Sequence, residues 1–220
     1  MTIHEEKNVF NIAIEGNFDD CQNLVKAMFN DEKFSSSINM SGVNSINWAR
    51  IVAQAVYYFY AYFKIGSGQP LSFSVPTGNF GDIYAGYLAK KLGLPIDKLI
   101  VATNKNDILH RAISGGDYTQ KKVEETNTPS MDIQIASNFE RLLYDVKDCN
   151  SEVTKDVMSK IKNNTYQIDN SDLDKIKKNF TSEMLDENET IQMIKDINKK
   201  YKVVVDPHTA VGIGAAKKLG

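Results

Sequence analysis

The sequence predicts an α/β fold built on a mostly parallel sheet. Apolar runs of strand length, rich in β-branched and aromatic residues, recur at Val9–Ile14, Leu71–Val75 and Lys98–Thr103. Each is followed, after a short polar or glycine-bearing turn, by a segment whose apolar residues fall at helical spacing. Strands that alternate with helices across short connections build parallel sheets, because a parallel neighbour can be reached only by a crossover.

In chain order, Val9-Phe10-Asn11-Ile12-Ala13-Ile14 reads as the first strand and stops at Glu15-Gly16-Asn17. Asn17 or Asp19 can then cap a helix carrying Cys21, Leu24, Val25, Met28 and Phe29. Residues 1–40 are thus expected to form a strand–helix unit, and 41–220 the main domain. Lys33 to Ser45 is polar and serine-rich and reads as a connection. Asn44-Ser45-Ile46-Asn47 opens the most apolar helix, with Trp48, Ile51, Val52, Ala55, Val56, Phe59, Tyr62 and Phe63 in register. Tyr57, Tyr58 and Tyr60 cover much of its other side, so the expectation is a core helix, with a subunit contact as the alternative.

The central strand, Leu71-Ser72-Phe73-Ser74-Val75, is ended by Pro76, which has no N–H to give a ladder. After Gly78-Asn79-Phe80-Gly81-Asp82, a helix carries Ile83, Tyr84, Tyr87, Leu88 and Leu92 and stops at Gly93-Leu94-Pro95. Lys98–Thr103 is the next strand, followed by a short helix through Ile108, Leu109 and Ile113. Asp132 to Asp145 holds Phe139, Leu142 and Leu143 in helical register. The lysine-, aspartate- and asparagine-rich stretch 147–200 reads as a peripheral helical segment, since acids and bases alternate along it. Val203-Val204-Val205 reads as a last buried strand, and Asp206-Pro207-His208-Thr209 as the loop at its carboxyl end.

Composition narrows the function. The chain has 220 residues, 42% hydrophobic and 25% charged, with a formal net charge of −2. That balance gives no reason to expect nucleic acid or an anionic membrane as partner. Two distant cysteines, Cys21 and Cys149, are expected to be reduced thiols of a cytoplasmic protein. No targeting segment is evident at the N-terminus, and no apolar run reaches the ~18 residues of a membrane span. His4, His110 and His208 are isolated from other ligand residues, so no metal site is expected.

The turn at 78–82 carries the candidate chemistry. Glycines there let backbone approach an anion, and the first helical turn presents free N–H groups with about half a positive charge. By spacing alone it fits either a phosphate cradle or an ordinary strand–helix turn with Asp82 as N-cap. Gly212-Ile213-Gly214-Ala215-Ala216 has the look of a dinucleotide fingerprint but lacks the third glycine, and close helix packing explains its small residues equally well.

Longer strings are more specific. PTGNFGDIYAGYLAKKLGLPIDKLIVATNKND at 76–107 resembles the phosphate-cup region of threonine synthases, pyridoxal-phosphate enzymes of fold type II, the tryptophan-synthase β-like fold. EGNFDDCQ at Glu15–Gln22, NSINWARI at Asn44–Ile51, PSMDI with SNFERLLYD at Pro129–Asp145, and DPHTAVG at Asp206–Gly212 resemble the same family, in family order. The resemblance implies a three-layer αβα fold and pyridoxal 5'-phosphate as cofactor. It implies that Gly78, Asn79, Phe80, Gly81 and Asp82 line the cofactor phosphate, largely through backbone N–H groups. An Asp82 carboxylate facing a dianion would be unfavourable, so its side chain is expected to cap the helix or turn away. Thr209 matches the hydroxyl residue facing the pyridine nitrogen, where a neutral group leaves that nitrogen largely unprotonated. Asn44 and Ser45 are candidates for contacts with the substrate, which the resemblance gives as O-phosphohomoserine, or for a simple N-cap.

The family's Schiff-base lysine lies in a phenylalanine-lysine-aspartate motif upstream of EGNFDD, and neither Phe63-Lys64-Ile65 nor Lys33-Phe34 fits it. No lysine here is therefore assigned a catalytic role. The expectation is a central and C-terminal part of such an enzyme, lacking an N-terminal part and inactive alone, with a homo-oligomer open. The whole enzyme would convert O-phosphohomoserine and water to threonine and phosphate by γ-elimination and β-addition, in threonine biosynthesis. Another fold-type-II lyase or dehydratase, or a non-catalytic αβ module binding a phosphate-bearing ligand, are the alternatives.

Overall fold

The computed structural model describes residues 6–16, 18–44, 46–66, 68–162 and 166–220; His4, Asn17 and Ser45 lie outside them. The chain divides into two compact units, Met1–Ser41 and Gly42–Gly220.

In the first unit, α1 spans Phe18–Asn30 and α2 spans Glu32–Ser37. Asp31 caps α2 by accepting from the Phe34 N–H at 3.0 Å, which puts a helix where the polar composition reads as connection. The strand expected at Val9–Ile14 is absent: these residues are irregular, and Ile12 is 80% exposed. β-branched residues favour a strand only when a neighbouring strand takes up the backbone N–H and C=O groups, and no strand pairs with this stretch among the described residues.

In the second unit, α3 (Trp48–Ile65) leads to β1 (Leu71–Pro76), α4 (Gly81–Lys91), β2 (Ile96–Thr103) and α5 (Ile108–Gly115). A single 3-10 turn at Pro129–Met131 precedes α6 (Phe139–Val146), α7 (Ser151–Lys162) and α8 (Asn170–Lys177). Then come β3 (Phe180–Met184), α9 (Glu187–Tyr201) and α10 (Pro207–Leu219). The sheet order is β1-β2-β3 and both pairings are parallel, with Val75 beside Val101 and Val101 beside Ser182.

Period-2 alternation along β2 divides the core into two layers of contact. Leu99 and Val101 point to the larger cluster, with Ile83, Ile113 and Phe180 among its members. Ile100 and Ala102 point the other way, to Leu185 and to Val211 and Ala215 of α10. Helices on both faces of a parallel sheet make the expected three-layer αβα arrangement.

Three expectations are corrected. The 147–200 stretch is not wholly peripheral or helical, because Phe180–Met184 pairs in register with Leu99–Thr103 as an edge strand. Val203–Val205 is not a buried strand: it follows the left-handed C-cap Lys202, has no ladder partner, and leaves Val204 76% exposed. α3 is only half a core helix. Ile51, Ala55, Tyr58 and Tyr62 are buried, while Val52, Val56, Tyr57, Tyr60 and Phe63 are exposed, Phe63 by 73%. Its apolar residues surround the helix, and among the described residues only one face of it is buried.

Candidate functional site

The turn between β1 and α4 sits at the carboxyl end of the sheet, where ligands of open parallel sheets bind. The Thr77 N–H donates to the Ala102 carbonyl at 2.8 Å, extending the ladder by one residue, and its hydroxyl donates to the Val75 carbonyl. A Cβ on Gly78 would lie 2.6 Å from the Ser130 carbonyl oxygen and 3.1 Å from Met131 Cα. Glycine is therefore required here by close backbone approach.

Phe80 is the N-cap of α4 in the left-handed conformation, φ 62° and ψ 10°, and gives the helix no side-chain cap. For a residue with Cβ that conformation costs about 1–2 kcal/mol. Complete burial of its ring offsets the cost: Phe80 packs edge-on against Phe139 at 5.2 Å and beside Phe180 at 5.6 Å. The strained backbone swings Gly81 into the first helical position, so that the first turn of α4 presents N–H groups with no intrahelical acceptor. Within the helix, the first bond of this end is that of the Tyr84 N–H to the Phe80 carbonyl.

Asp82 is not the N-cap, because the helix starts before it. Its Oδ1 is buried without a hydrogen-bond partner among the described residues, with Tyr58 of α3 beside the carboxyl. The Tyr58 hydroxyl donates to the Asp82 carbonyl at 2.9 Å. Burial raises the Asp82 carboxyl above the usual carboxylate range, with contact from Tyr58 opposing part of that rise. The Tyr58 hydroxyl is pushed well up, first by burial and then by the neighbouring carboxylate.

Asn79 has a structural task that spacing could not reveal. Its side-chain oxygen accepts from the Ser137 N–H at 2.9 Å. Its backbone carbonyl accepts from the Asn138 N–H at 3.1 Å and from Asn138 Nδ2 at 3.2 Å. The start of α6 is thereby fastened to the turn.

Thr209 lies in the first turn of α10 rather than in a loop. Asp206 caps that helix, its Oδ1 accepting from the His208 N–H at 2.9 Å and the Thr209 N–H at 3.2 Å. The Thr209 hydroxyl donates to Asp206 Oδ2 at 2.5 Å, and this bond, followed by the backbone donors, holds the Asp206 carboxyl below the usual range. The Ser130 N–H donates to His208 Nε2 at 3.3 Å, which requires that ring nitrogen to be unprotonated. Gly78 and His208 thus both meet the Ser130 turn. Gly212 and Gly214, in the middle of α10, face Pro76 and Leu185, where a Cβ would come within 3.1 and 2.2 Å, so close packing accounts for them.

A buried polar network holds the Ser130 turn against the end of β2. Asn104 Nδ2 donates to the Thr126 and Thr128 hydroxyls and to Asp132 Oδ1 at 2.8–2.9 Å. Asn106 Nδ2 donates to the same Asp132 oxygen at 3.0 Å, and the Thr126 N–H to Asp132 Oδ2 at 2.9 Å. Asn44 lies ahead of α3. It is exposed, its side chain accepts from the Ile46 N–H, and the N-cap of α3 is Asn47.

No family model matches the chain. The threonine synthase of Pseudomonas aeruginosa is 46% identical over 220 residues, covering 99% of this chain and 47% of that protein. The Saccharomyces cerevisiae threonine synthase is 45% identical, covering 100% and 46%. Among solved structures, pyridoxal-phosphate-bound threonine synthase from Brucella melitensis superposes with a TM-score of 0.86 at 48% identity, covering 94% of this chain and 45% of that one. The yeast enzyme superposes with a TM-score of 0.82 at 45% identity, covering 93% and 43%. The chain spans about half the length of the curated relatives it matches. In sequence and in fold the chain is similar to threonine synthases over about half of their length.

Proposed function

We propose that this chain forms the half of a threonine synthase that holds the phosphate of pyridoxal 5'-phosphate. The observation that carries the reading is the α4 N-terminus: an uncapped helix start behind a strained, left-handed Phe80, at the carboxyl end of the sheet. A phosphate fits there, because the first-turn N–H groups and the helix dipole favour an anion. Gly78 to Asp82 would hold it through their backbone, with Phe80 contributing only its N–H, since its ring is buried. The Asp82 carboxyl is buried beside Tyr58 of α3, and burial raises it above the usual carboxylate range.

Thr209 would face the ring nitrogen through its hydroxyl. In the arrangement described its proton is donated to Asp206, so contact with an unprotonated nitrogen requires that hydrogen to swing away. Asn44 and Ser45 remain candidates for substrate contact at the start of α3. Bound at this turn, pyridoxal phosphate supplies an electron sink that lets protons leave amino-acid carbons.

The whole enzyme would act on O-phosphohomoserine and water, giving threonine and phosphate, in the cytoplasm. The remaining half of the family's length would supply the Schiff-base lysine and the wall against the exposed face of α3. Joining this chain to the N-terminal half of the Pseudomonas aeruginosa relative tests the reading. Release of threonine and phosphate in equal amounts is the expected result. A folded chimera that binds the cofactor yet releases neither would overturn it.

A further inference from the structure

The N-terminal turn of α3 and the anion turn before α4 are joined by one side-chain chain. Asn138, 1% exposed, donates through Nδ2 to the Asn79 carbonyl at 3.2 Å. Its Oδ1 accepts from Arg141 Nε at 2.9 Å. Arg141 Nη2 donates to the Ile46 carbonyl at 3.0 Å, and the guanidinium lies over the Trp48 ring at 5.2 Å. The Asn138–Asn79 and Arg141–Ile46 bonds join parts of the chain 59 and 95 residues apart, and the Arg141–Asn138 bond, between residues three apart, connects the two.

We propose that Arg141, acting through Asn138, is a positioning residue that couples occupancy of the Gly78–Asp82 turn to the placement of Ile46–Trp48 at the start of α3. The proposal rests on the phosphate-holding role of the former turn. The fork geometry of Arg141 is what makes the link. One planar guanidinium spans Asn138 and the Ile46 carbonyl while stacking on an indole, and an ammonium cannot do all three. Arg141 is argued as a positioning residue, because its hydrogen bonds are to Asn138 and the Ile46 carbonyl and it acts on the Gly78–Asp82 turn through Asn138.

Trp48 is the only tryptophan of the sequence, so its fluorescence reads the far end of the link directly. The experiment compares wild type with Arg141→Lys, Arg141→Gln and Asn138→Ala, first without ligand and then titrated with pyridoxal phosphate, with binding measured separately by equilibrium dialysis. Without ligand, acrylamide quenching of Trp48 is expected to rise in all three variants. The Asn138→Ala/Arg141→Lys double variant should be no worse than either single one, since each opens the same chain. Unchanged quenching in both Asn138→Ala and Arg141→Lys would overturn the link whatever the ligand does.

With ligand, wild-type Trp48 fluorescence is expected to change with the midpoint found by dialysis. Arg141→Lys and Arg141→Gln should lose that response and weaken binding alike, by about tenfold at most. Affinity retained by Arg141→Lys but lost by Arg141→Gln would assign the effect to charge and overturn positioning. Lowered melting temperatures with wild-type affinity and response would overturn coupling in favour of a structural role. Failure of wild type to bind at all, with the ligand-free quenching pattern as expected, would instead overturn the phosphate-holding reading, and the coupling with it.

Discussion

Replacing Gly78 by alanine perturbs one contact whose cost can be worked out. The added Cβ would stand 2.6 Å from the Ser130 carbonyl oxygen. Ordinary carbon–oxygen approach is about 3.3 Å, so one backbone must retreat by roughly 0.7 Å. Neither side can do so freely. The Ser130 turn is tied by its N–H to His208 and flanked by the Asn104–Thr126–Thr128–Asp132 network. The Gly78 side is tied to the ladder through the Thr77 N–H. Overpacking of such a site costs about 1–3 kcal/mol. At about 2–4 °C per kcal/mol for a chain of this size, a loss of about 2 kcal/mol lowers the melting temperature by about 4–8 °C. Thermal melts with and without pyridoxal phosphate check both consequences. Ligand at a hundred times its dissociation constant stabilises by about 2.7 kcal/mol. Wild type should gain that increment, and Gly78→Ala should start lower and gain little. A variant that melts within about 1 °C of wild type, or gains the full increment, would refute the reasoning.

Asp206→Ala should destabilise by about 0.5–2 kcal/mol through loss of the α10 cap, read by chemical denaturation. Because the Asp206 carboxyl is held low in the folded chain, its contribution is present above the usual carboxylate range and lost as pH falls through the lowered value; denaturation midpoints of wild type and variant should therefore converge in acid. Asp82→Asn works in the opposite sense: burial raises the folded-state value, so stability falls as pH rises from the usual carboxylate range through the raised value, and the variant should melt higher than wild type at neutral pH. Gly214→Val should cost about 1–3 kcal/mol by forcing α10 off Leu185, whereas a dinucleotide-binding loop would instead have shown a loss of nucleotide affinity. Borohydride reduction after addition of pyridoxal phosphate should label lysines at scattered low levels by peptide mass spectrometry, and a stoichiometric adduct on one lysine would mean that the chain carries its own Schiff-base residue.

Local chemistry was legible in the sequence, and long-range pairing was not. The run from Leu71 to Lys91 could be read because its signals are adjacent: a strand ended by proline, a glycine turn, then helical spacing. What makes Val9–Ile14 and Val203–Val205 irregular is the want of a neighbour, and no property of those residues reveals that. β3 was hidden for the converse reason, since Phe180–Met184 is short and polar and becomes a strand by pairing with β2. The Asp186–Glu189 capping box, visible as a D-x-x-E spacing, could have marked the start of α9 and hence a break in the supposed helical stretch. In the site, type and spacing marked the Gly78–Asp82 turn as either a phosphate cradle or an ordinary strand–helix turn, and the family resemblance favoured the cradle. The roles of Ser130, His208, Asn138 and Arg141 were not marked, because each depends on a partner far away in sequence. Aromatic content likewise marked α3 as apolar without telling which of its faces the chain itself would cover.

The most direct test of the account is a phosphorus NMR titration of pyridoxal phosphate into the wild-type chain and into Gly78→Asp. The account predicts a shifted, saturable phosphate resonance at one equivalent in wild type, absent from the variant while its circular dichroism stays native. A bound resonance of equal strength in Gly78→Asp would contradict the claim that this turn holds the cofactor phosphate.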